Sequence, residues 1–148
     1  MAKRVFWKRA MAGVLAAGLI IASVATATPE AEQAGVKVTV KYTGKGTVDS
    51  GHRIWIWLFD TPDIGPGAMP IDEQSLDTNG ATATFAGVAA GKVWIAIAYD
   101  ERGGFGGAAP PPSGSPVTLY MEKGAPGIVT PGPDGSVTVT FDDSMRMP

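Results

Sequence analysis

The chain is short of the residues from which most catalytic and metal centres are built. Among its 148 residues there is no cysteine and only one histidine, His52. A disulfide, a thiolate nucleophile and a cysteine-based zinc site are therefore excluded, and zinc prefers several histidine or cysteine ligands. Ser50 lies two residues before His52, but neither stands in a nucleophile-elbow context. We interpret His52 as a surface residue at a strand end and expect no enzymatic activity. The alternative, a hydrolase, rests on His52 alone.

Basic residues are scarce except at the N-terminus, where four of the twelve lie among the first nine residues. They precede an apolar run, residues 10–24, and the small-x-small sequence Ala25-Thr26-Ala27. This order predicts a signal peptide over residues 1–27, cleaved after Ala27, for the general secretory route. The alternative is a retained membrane anchor, for which this run is at the short limit. In either case we expect the remaining chain to be periplasmic or secreted.

Positive charge is in the minority after this leader. Residues 28–148 carry eight basic and fourteen acidic side chains, a net charge of −6. Nucleic acids and anionic membrane surfaces both attract positively charged proteins. We therefore expect neither as a partner after cleavage, which leaves an envelope protein or a glycan as the open possibilities.

A helical period is absent after the leader, and alternation with a period of two recurs instead. This pattern predicts six strands and a possible seventh at a sheet edge. The six are residues 36–42, 52–59, 81–85, 93–99, 117–121 and 136–141, and the possible edge strand lies within residues 68–76. Gly- and Pro-rich turns separate them. The sequence thus predicts an all-β fold, a single antiparallel β-sandwich over residues 36–148 behind a flexible segment, residues 28–35.

Two of these strands, residues 52–59 and 93–99, are apolar on both faces. In each strand one face is mainly branched aliphatic and the other is aromatic or alanine. The branched set suits a sheet interior, so Trp55, Trp57 and Trp94 are expected to share the opposite face. One interpretation is an exposed aromatic platform that binds carbohydrate or peptide. The other, which we favour, is a face covered by the proline-rich segment, residues 108–116.

A stretch in the middle of the chain resembles a known family. It comprises Asn79-Gly80, Phe85, Val88 and the run GKVWIAI at residues 91–97. This order of turn, strand with a terminal aromatic residue, glycine turn and central strand is similar to the signature of transthyretin-like (prealbumin-like) domains, which include the carboxypeptidase regulatory-like β-sandwiches. The resemblance implies an Ig-like or transthyretin-like β-sandwich and does not imply a particular ligand.

The residues that follow carry a second resemblance. Exported bacterial β-sandwiches of uncharacterised function have a strand that ends in an Asp-Glu-Asn-Gly-Asn-Gly type loop. Asp100, Glu101 and Gly103 match that pattern, whereas Arg102 and Phe105 do not. If the family loop binds calcium, this chain has lost much of the oxygen ligand set.

Pairs of acidic residues follow three of the predicted strands. Ca²⁺ binds several oxygen ligands from loops, so these pairs would form a calcium site if the three strand ends shared one pole. The alternative is that acids merely end the strands and keep the ends soluble. The pairs are Asp60 and Asp63, Asp100 and Glu101, and Asp142 and Asp143.

Together these features predict an exported, non-catalytic β-sandwich that acts as a binding or structural module of the bacterial cell envelope. Two more specific alternatives stay open: a carbohydrate- or peptide-binding domain that uses the tryptophan face, and a calcium-stabilised adhesion or scaffold module. No cofactor other than calcium is expected.

Overall fold

Nine β-strands make up the regular secondary structure of the computed structural model, which describes residues 34–148. All seven strands expected from the sequence are present, including the possible edge strand. In this part of the chain no helix is long and apolar enough to cross a bilayer. The predicted leader and most of the segment 28–35 lie outside the described residues. The strands are β1 (Val36–Tyr42), β2 (Ile54–Phe59), β3 (Asp72–Leu76), β4 (Thr82–Phe85), β5 (Trp94–Tyr99), β6 (Val117–Leu119), β7 (Met121–Glu122), β8 (Ala125–Pro126) and β9 (Ser136–Phe141).

The longer strands form two sheets of order β4-β1-β9 and β3-β2-β5-β6. The two-residue strands β7 and β8 form a separate hairpin that the sequence did not predict. Its turn residues, Lys123 and Gly124, both have a positive φ. A two-residue loop of this kind matches the right-handed twist of the two strands that it joins.

One strand pair departs from the antiparallel arrangement that we expected. β1 and β9 are parallel, with Val38 opposite Val137 and Tyr42 opposite Phe141, while every other pair in the two sheets is antiparallel. Parallel neighbours require a long crossover connection. Here the crossover comprises all the strands from β2 to β8, because the chain passes through the second sheet before β9 pairs with β1 in the first. The expectation of a purely antiparallel fold is therefore wrong for β9.

The main core lies between the two sheets and contains the branched aliphatic residues of β2 and β5. Ile54, Ile56 and Leu58 are fully buried there, as are Ile95 and Ile97 to within one per cent. The first sheet contributes the alternating valines of β1 and the terminal aromatic residue of β4. The predicted orientation of the two apolar strands is confirmed.

The stretch from Asn79 to Ile97 contains the turn, the strand that ends in a buried aromatic residue and the central strand that the sequence predicted. Asn79 and Gly80 form a turn in which the Asn79 side chain accepts from the Tyr42 N–H at 2.8 Å and donates to the Tyr42 carbonyl at 2.7 Å. β4 then ends at Phe85, which is completely buried. Gly87 has a φ of 67°, and β5 follows as an interior strand of the four-stranded sheet.

A cluster of aromatic rings closes one end of the core. Tyr42 stacks on Tyr99 with ring centroids 4.4 Å apart, and Phe141 lies 5.1 Å from Tyr42. Gly46 crosses the Tyr99 ring so closely that a Cβ atom would overlap it. The Tyr42 hydroxyl donates to the Asp143 carboxylate, which also accepts from the Lys45 N–H at 3.0 Å. The last strand end is thereby fixed to the first.

We expect this carboxylate to make the fold sensitive to acid. The hydrogen bond from Tyr42, followed by that from Lys45, lowers the pKa of Asp143 below its ordinary value. A group with a depressed pKa in the folded state stabilises the fold above its unfolded pKa, and that contribution disappears as the pH falls through the folded pKa. Asp143→Asn should therefore lower the melting temperature at neutral pH. The variant's melting temperature should also fall less steeply than that of the wild type below about pH 4.

Thermal melts of the wild type and variant between neutral and acidic pH measure this effect. Asp63→Asn is the matched control, since Asp63 is exposed and its side chain has no hydrogen-bond partner within residues 34–148. Parallel pH profiles for the wild type and Asp143→Asn would contradict the assigned role.

Candidate functional site

The outer face of the four-stranded sheet, on the side away from the main core, is aromatic on β2. Trp55, Trp57 and Phe59 alternate with the core residues of that strand. β2 and β5 are neighbours, as the tryptophan hypothesis required, with Trp55 opposite Ala98 and Trp57 opposite Ala96. The small alanine side chains leave room for the indole rings beside them. Trp94 lies at the start of β5 opposite Phe59 and is half-buried.

This face is a second hydrophobic core rather than an open platform. Trp57 is 1% exposed and Phe59 is 2% exposed. The alternative of an exposed platform is wrong for Trp57, and the covered face that we favoured is present there, because a loop lies over it. Trp55 is partly buried at the edge of the same cluster, and its Nε1 is buried with no hydrogen-bond acceptor among residues 34–148.

The covering loop is held in place by the buried carboxylate of Asp100. This side chain is 5% exposed, and it accepts from the Gly103 N–H and from the Phe105 N–H, both at 2.9 Å. The two hydrogen bonds turn the chain back over the sheet. The Gly107 carbonyl then accepts from Trp57 Nε1 at 2.7 Å, which satisfies the indole donor.

Phe105 is the residue of this face that the sequence interpretation missed. Its ring contacts Trp55 and Trp57 edge-on, with centroids 5.6 and 6.1 Å apart. Gly107 has a φ of 90° and lies against Trp55, where a Cβ atom would overlap the ring. The cover thus comes from the glycine-rich part of the loop as well as from the predicted segment, residues 108–116, of which Ala109 packs against the same cluster. In the sequence, the signal that could have identified Phe105 was its large apolar side chain among glycines.

Beside this cover a cleft of about 340 Å³ opens on the same face of the sheet. Trp57, Phe59 and Ala96 form its floor. The edge strand β6 contributes Val117 and Leu119. Of the three tryptophans that the sequence marked as a binding face, Trp57 lines this cavity, whereas Trp55 and Trp94 are not among its lining residues.

Three segments form the rim of the cleft. One is the loop after β2, with Ile64, Pro66 and Ala68; another consists of Ala109, Pro110 and Pro111; the third is the C-terminal tail, residues 145–148. On the first rim Met69 follows Ala68 and is 78% exposed, and on the tail Met145 is 57% exposed. Flexible methionines beside an apolar cavity are common at adaptable binding surfaces.

The chemistry of this lining is apolar. Among the lining residues within 34–148, Thr118 is the one, apart from Trp57, whose side chain carries a nitrogen or oxygen atom, and none of these side chains is ionisable. The Trp57 N–H is already bonded to Gly107. Such a cleft is suited to an aliphatic or aromatic group, and its volume is at the lower end for small-molecule sites.

The acidic pairs do not converge in the way that a single calcium site requires. β2 and β5 are antiparallel, so Asp60 and Asp63 lie at the opposite end of the sheet from Asp100 and Glu101. That part of the prediction is wrong, because strand direction is set by pairing rather than by local sequence. Within residues 34–148 no three acidic or histidine side chains form a group that could hold a metal ion.

At the other end the acids already have protein partners. Asp143 binds Tyr42 and Lys45, and the Glu101 carboxylate pairs with Arg146 at 2.7 Å. This guanidinium lowers the pKa of Glu101. Asp142 accepts from the Ser144 N–H at 2.9 Å. The carboxylates thus organise the loops and the C-terminal tail.

His52 lies in an exposed turn before β2. Its Nδ1 is 3.0 Å from the Asp49 carboxylate, which also accepts from the N–H groups of Gly51 and His52 at 2.8 Å. These hydrogen bonds lower the pKa of Asp49, with the His52 side chain as the main cause. The contacts form a side-chain-capped turn, and neither His52 nor Asp49 is among the residues that line the cleft.

Comparisons of this chain with protein-family models, with curated proteins and with solved structures find no match. The geometry of the described residues therefore carries the functional argument.

Proposed function

We propose that the chain is an exported, non-catalytic β-sandwich of the transthyretin-like type that binds an apolar group of a partner in the cell envelope. The observation that carries this proposal is the apolar cleft over the outer face of the four-stranded sheet. The Trp57 indole beneath it already donates to the Gly107 carbonyl, while Met145 at its rim is exposed. Exposed apolar surface around a cavity indicates a binding site.

The sandwich type is supported by two features. The segment from Asn79 to the middle of β5 has the turn, buried aromatic and central strand expected of the resemblance. Residues of both sheets also pack in one core. Export rests on the predicted leader and on the −6 charge of residues 28–148.

The composition of the cleft favours an apolar side chain over a sugar. Carbohydrate sites need polar groups beside the stacking ring, since each sugar hydroxyl that loses water must find a partner. The indole N–H of the floor residue Trp57 is already bonded to Gly107, and the one hydroxyl that the described part of the chain contributes to the lining belongs to Thr118. A protein or peptide that presents an apolar residue is therefore the best-supported partner.

We expect the cleft to bind the aromatic rings of the anionic dye 1-anilinonaphthalene-8-sulfonate while the protein is fully folded. Ala96 is on the floor, so Ala96→Phe should fill the cavity and weaken binding about tenfold, the equivalent of about 1.4 kcal/mol. Ala89→Phe is the matched control, because Ala89 is exposed and does not line the cleft. Dye fluorescence titrations on the three folded proteins measure the difference.

Equal dye affinity in the wild type and Ala96→Phe would remove the cleft as the binding site. A glycan panel in the same titrations tests the carbohydrate alternative, because a glycan that displaces the dye would assign the cleft to sugars. A melting temperature that rises with Ca²⁺ and falls with chelator would instead support the calcium-stabilised module.

A further inference from the structure

The C-terminal tail, residues 145–148, lies along the outer edge of the four-stranded sheet as an added strand. The Val117 N–H donates to the Met145 carbonyl at 3.0 Å. Further along, the Gly114 N–H donates to the Met147 carbonyl and the Met147 N–H donates to the Ser115 carbonyl, both at 2.9 Å. Pro116 and Arg146 form an antiparallel bridge. The tail therefore occupies backbone groups that an edge strand otherwise offers to another chain.

Apolar and basic side chains alternate along the tail, and the two kinds make different contacts. Met145 and Met147, two residues apart, both line the apolar cleft. Arg146, between them, pairs instead with the Glu101 carboxylate and donates to the Gly114 carbonyl at 2.7 Å. The receiving surface thus has three parts: an unpaired sheet edge, an apolar cleft and a carboxylate.

The contacts that hold this tail are weak compared with those that hold the strands in the two cores. They comprise three backbone hydrogen bonds, the hydrogen bond from Arg146 to the Gly114 carbonyl and the ion pairs of Arg146 with Glu101 and Asp143. The Arg146 and Glu101 side chains are both more than one third exposed. Met145 is 57% exposed, so its burial contributes little. Backbone pairing at an exposed sheet edge with few buried apolar contacts has a low opening free energy. The tail can therefore leave while the rest of the fold is intact.

We propose that the tail occupies a strand-addition site whose external ligand is an extended protein segment of the pattern apolar–basic–apolar. This inference rests on the proposed function of the cleft and specifies its ligand. The incoming segment pairs with residues 114–117, places two alternate side chains in the cleft and presents its basic residue to Glu101. In strand addition, main-chain hydrogen bonds supply affinity and alternate side-chain pockets supply specificity.

The tail and the ligand compete for the same groups. An attached segment competes at an effective concentration in the millimolar range when its linker is short. The wild type should therefore bind such a segment weakly, and any change that releases the tail should strengthen binding. The tail acts as a built-in competitor that sets the affinity for the partner.

The test uses residues 28–148 and three fluorescein-labelled, N-blocked peptides. The first, Ser-Met-Arg-Met-Pro, copies residues 144–148. The second replaces its arginine by glutamate, and the third replaces both methionines by serine. Fluorescence polarisation is measured with the wild type and with Arg146→Ala, which removes the ion pairs of the tail and frees Glu101. Amide exchange of Val117 reports whether the tail has been released.

We expect Arg146→Ala to bind the first peptide about tenfold more tightly than the wild type does. The glutamate and serine peptides should bind weakly to both proteins. Adding Glu101→Gln to Arg146→Ala should abolish the preference for arginine over glutamate while leaving the preference for methionine over serine. That separation of the two preferences is specific to the proposed arrangement.

If Arg146→Ala leaves the Val117 amide protected, Met147→Pro is used instead, because it removes the N–H that bonds to Ser115. Equal binding of all three peptides, or no binding after release of the tail, would overturn the strand-addition site. Retained dye binding in that case would leave the apolar cleft in place, whereas loss of both would refute the proposed function as well.

Discussion

Replacing Trp57 by alanine is expected to lower the free energy of unfolding by about 3–5 kcal/mol. Trp57 is 1% exposed and lies at the centre of the outer-face cluster, between the sheet and its covering loop. Truncation removes an indole from a closely packed site and leaves the Gly107 carbonyl without its 2.7 Å donor. An exposed binding-platform tryptophan would show a much smaller loss, so the size of the effect distinguishes a core residue from a surface residue.

The hydrogen bond and the packing of Trp57 can be separated by phenylalanine variants. Trp57→Phe keeps most of the apolar volume and loses the donor to Gly107, so we expect it to cost about 1–2 kcal/mol. Trp55→Phe is the matched control, since Trp55 Nε1 has no acceptor among residues 34–148. That control should cost about half as much or less, because no hydrogen bond is lost.

Urea unfolding at 25 °C, followed by circular dichroism, measures all three variants. A Trp57→Ala variant within about 1 kcal/mol of the wild type would contradict the second core, since such a loss is typical of exposed positions. Equal losses for Trp57→Phe and Trp55→Phe would show that the bond to Gly107 contributes nothing measurable.

The strands and their orientation were predictable because both depend on local pattern. Alternation placed Val36, Val38 and Val40 on one face of β1, and their burial confirms it. The choice between the two apolar faces of β2 followed from shape, because branched side chains pack well against a facing sheet. Asn79-Gly80 marked its turn for a similarly local reason, the tolerance of Gly80 for its φ of 82°.

What the sequence did not predict depends on pairings between distant segments. β9 joins β1 from the far end of the chain in a parallel pair, and nothing in Ser136–Phe141 encodes that direction. The expected acidic cluster failed for the same reason, since Asp60 and Asp100 follow strands of opposite direction. Periodicity shows which face of a strand is buried but not which strand lies beside it.

The candidate site was only partly predictable for a related reason. Trp55 and Trp57 were identified as a shared face, whereas the loop over them and the cleft beside it depend on the path of irregular chain. That path is fixed by single contacts, such as those of Asp100 with Gly103 and Phe105. A short acidic side chain beside glycines is a capping signal, but the sequence alone does not tell what the capped loop covers.

The same outer face serves stability and the proposed binding. Its buried half, around Trp57 and Phe105, needs the loop to exclude water. Its open half, between Ala96 and Pro111, is a cleft because the loop passes to one side of it. Changes that loosen the loop are therefore expected to alter both the exposure of the tryptophans and the shape of the binding site.

Asp100→Ala is the most direct test of that coupling. The substitution leaves the N–H groups of Gly103 and Phe105 without their 2.9 Å acceptors and frees the loop from the strand end. We expect a loss of about 2–4 kcal/mol in the free energy of unfolding, since two partly buried donors lose a charged partner. Phe105 and Gly107 should then leave the tryptophans, so iodide should quench their fluorescence more strongly than in the wild type.

Two matched variants locate the cause of that change. Asp100→Asn retains one side-chain oxygen as an acceptor and should fall between Asp100→Ala and the wild type in both measurements. Glu101→Gln changes the adjacent, exposed acid, which contacts the C-terminal tail rather than the loop, and should raise quenching less than Asp100→Ala does. Quenching measured below the unfolding transition reports opening of the loop within the folded protein. If Asp100→Ala is less stable but no more quenched, the carboxylate stabilises the strand end without holding the cover, and the cleft would keep its shape without Asp100.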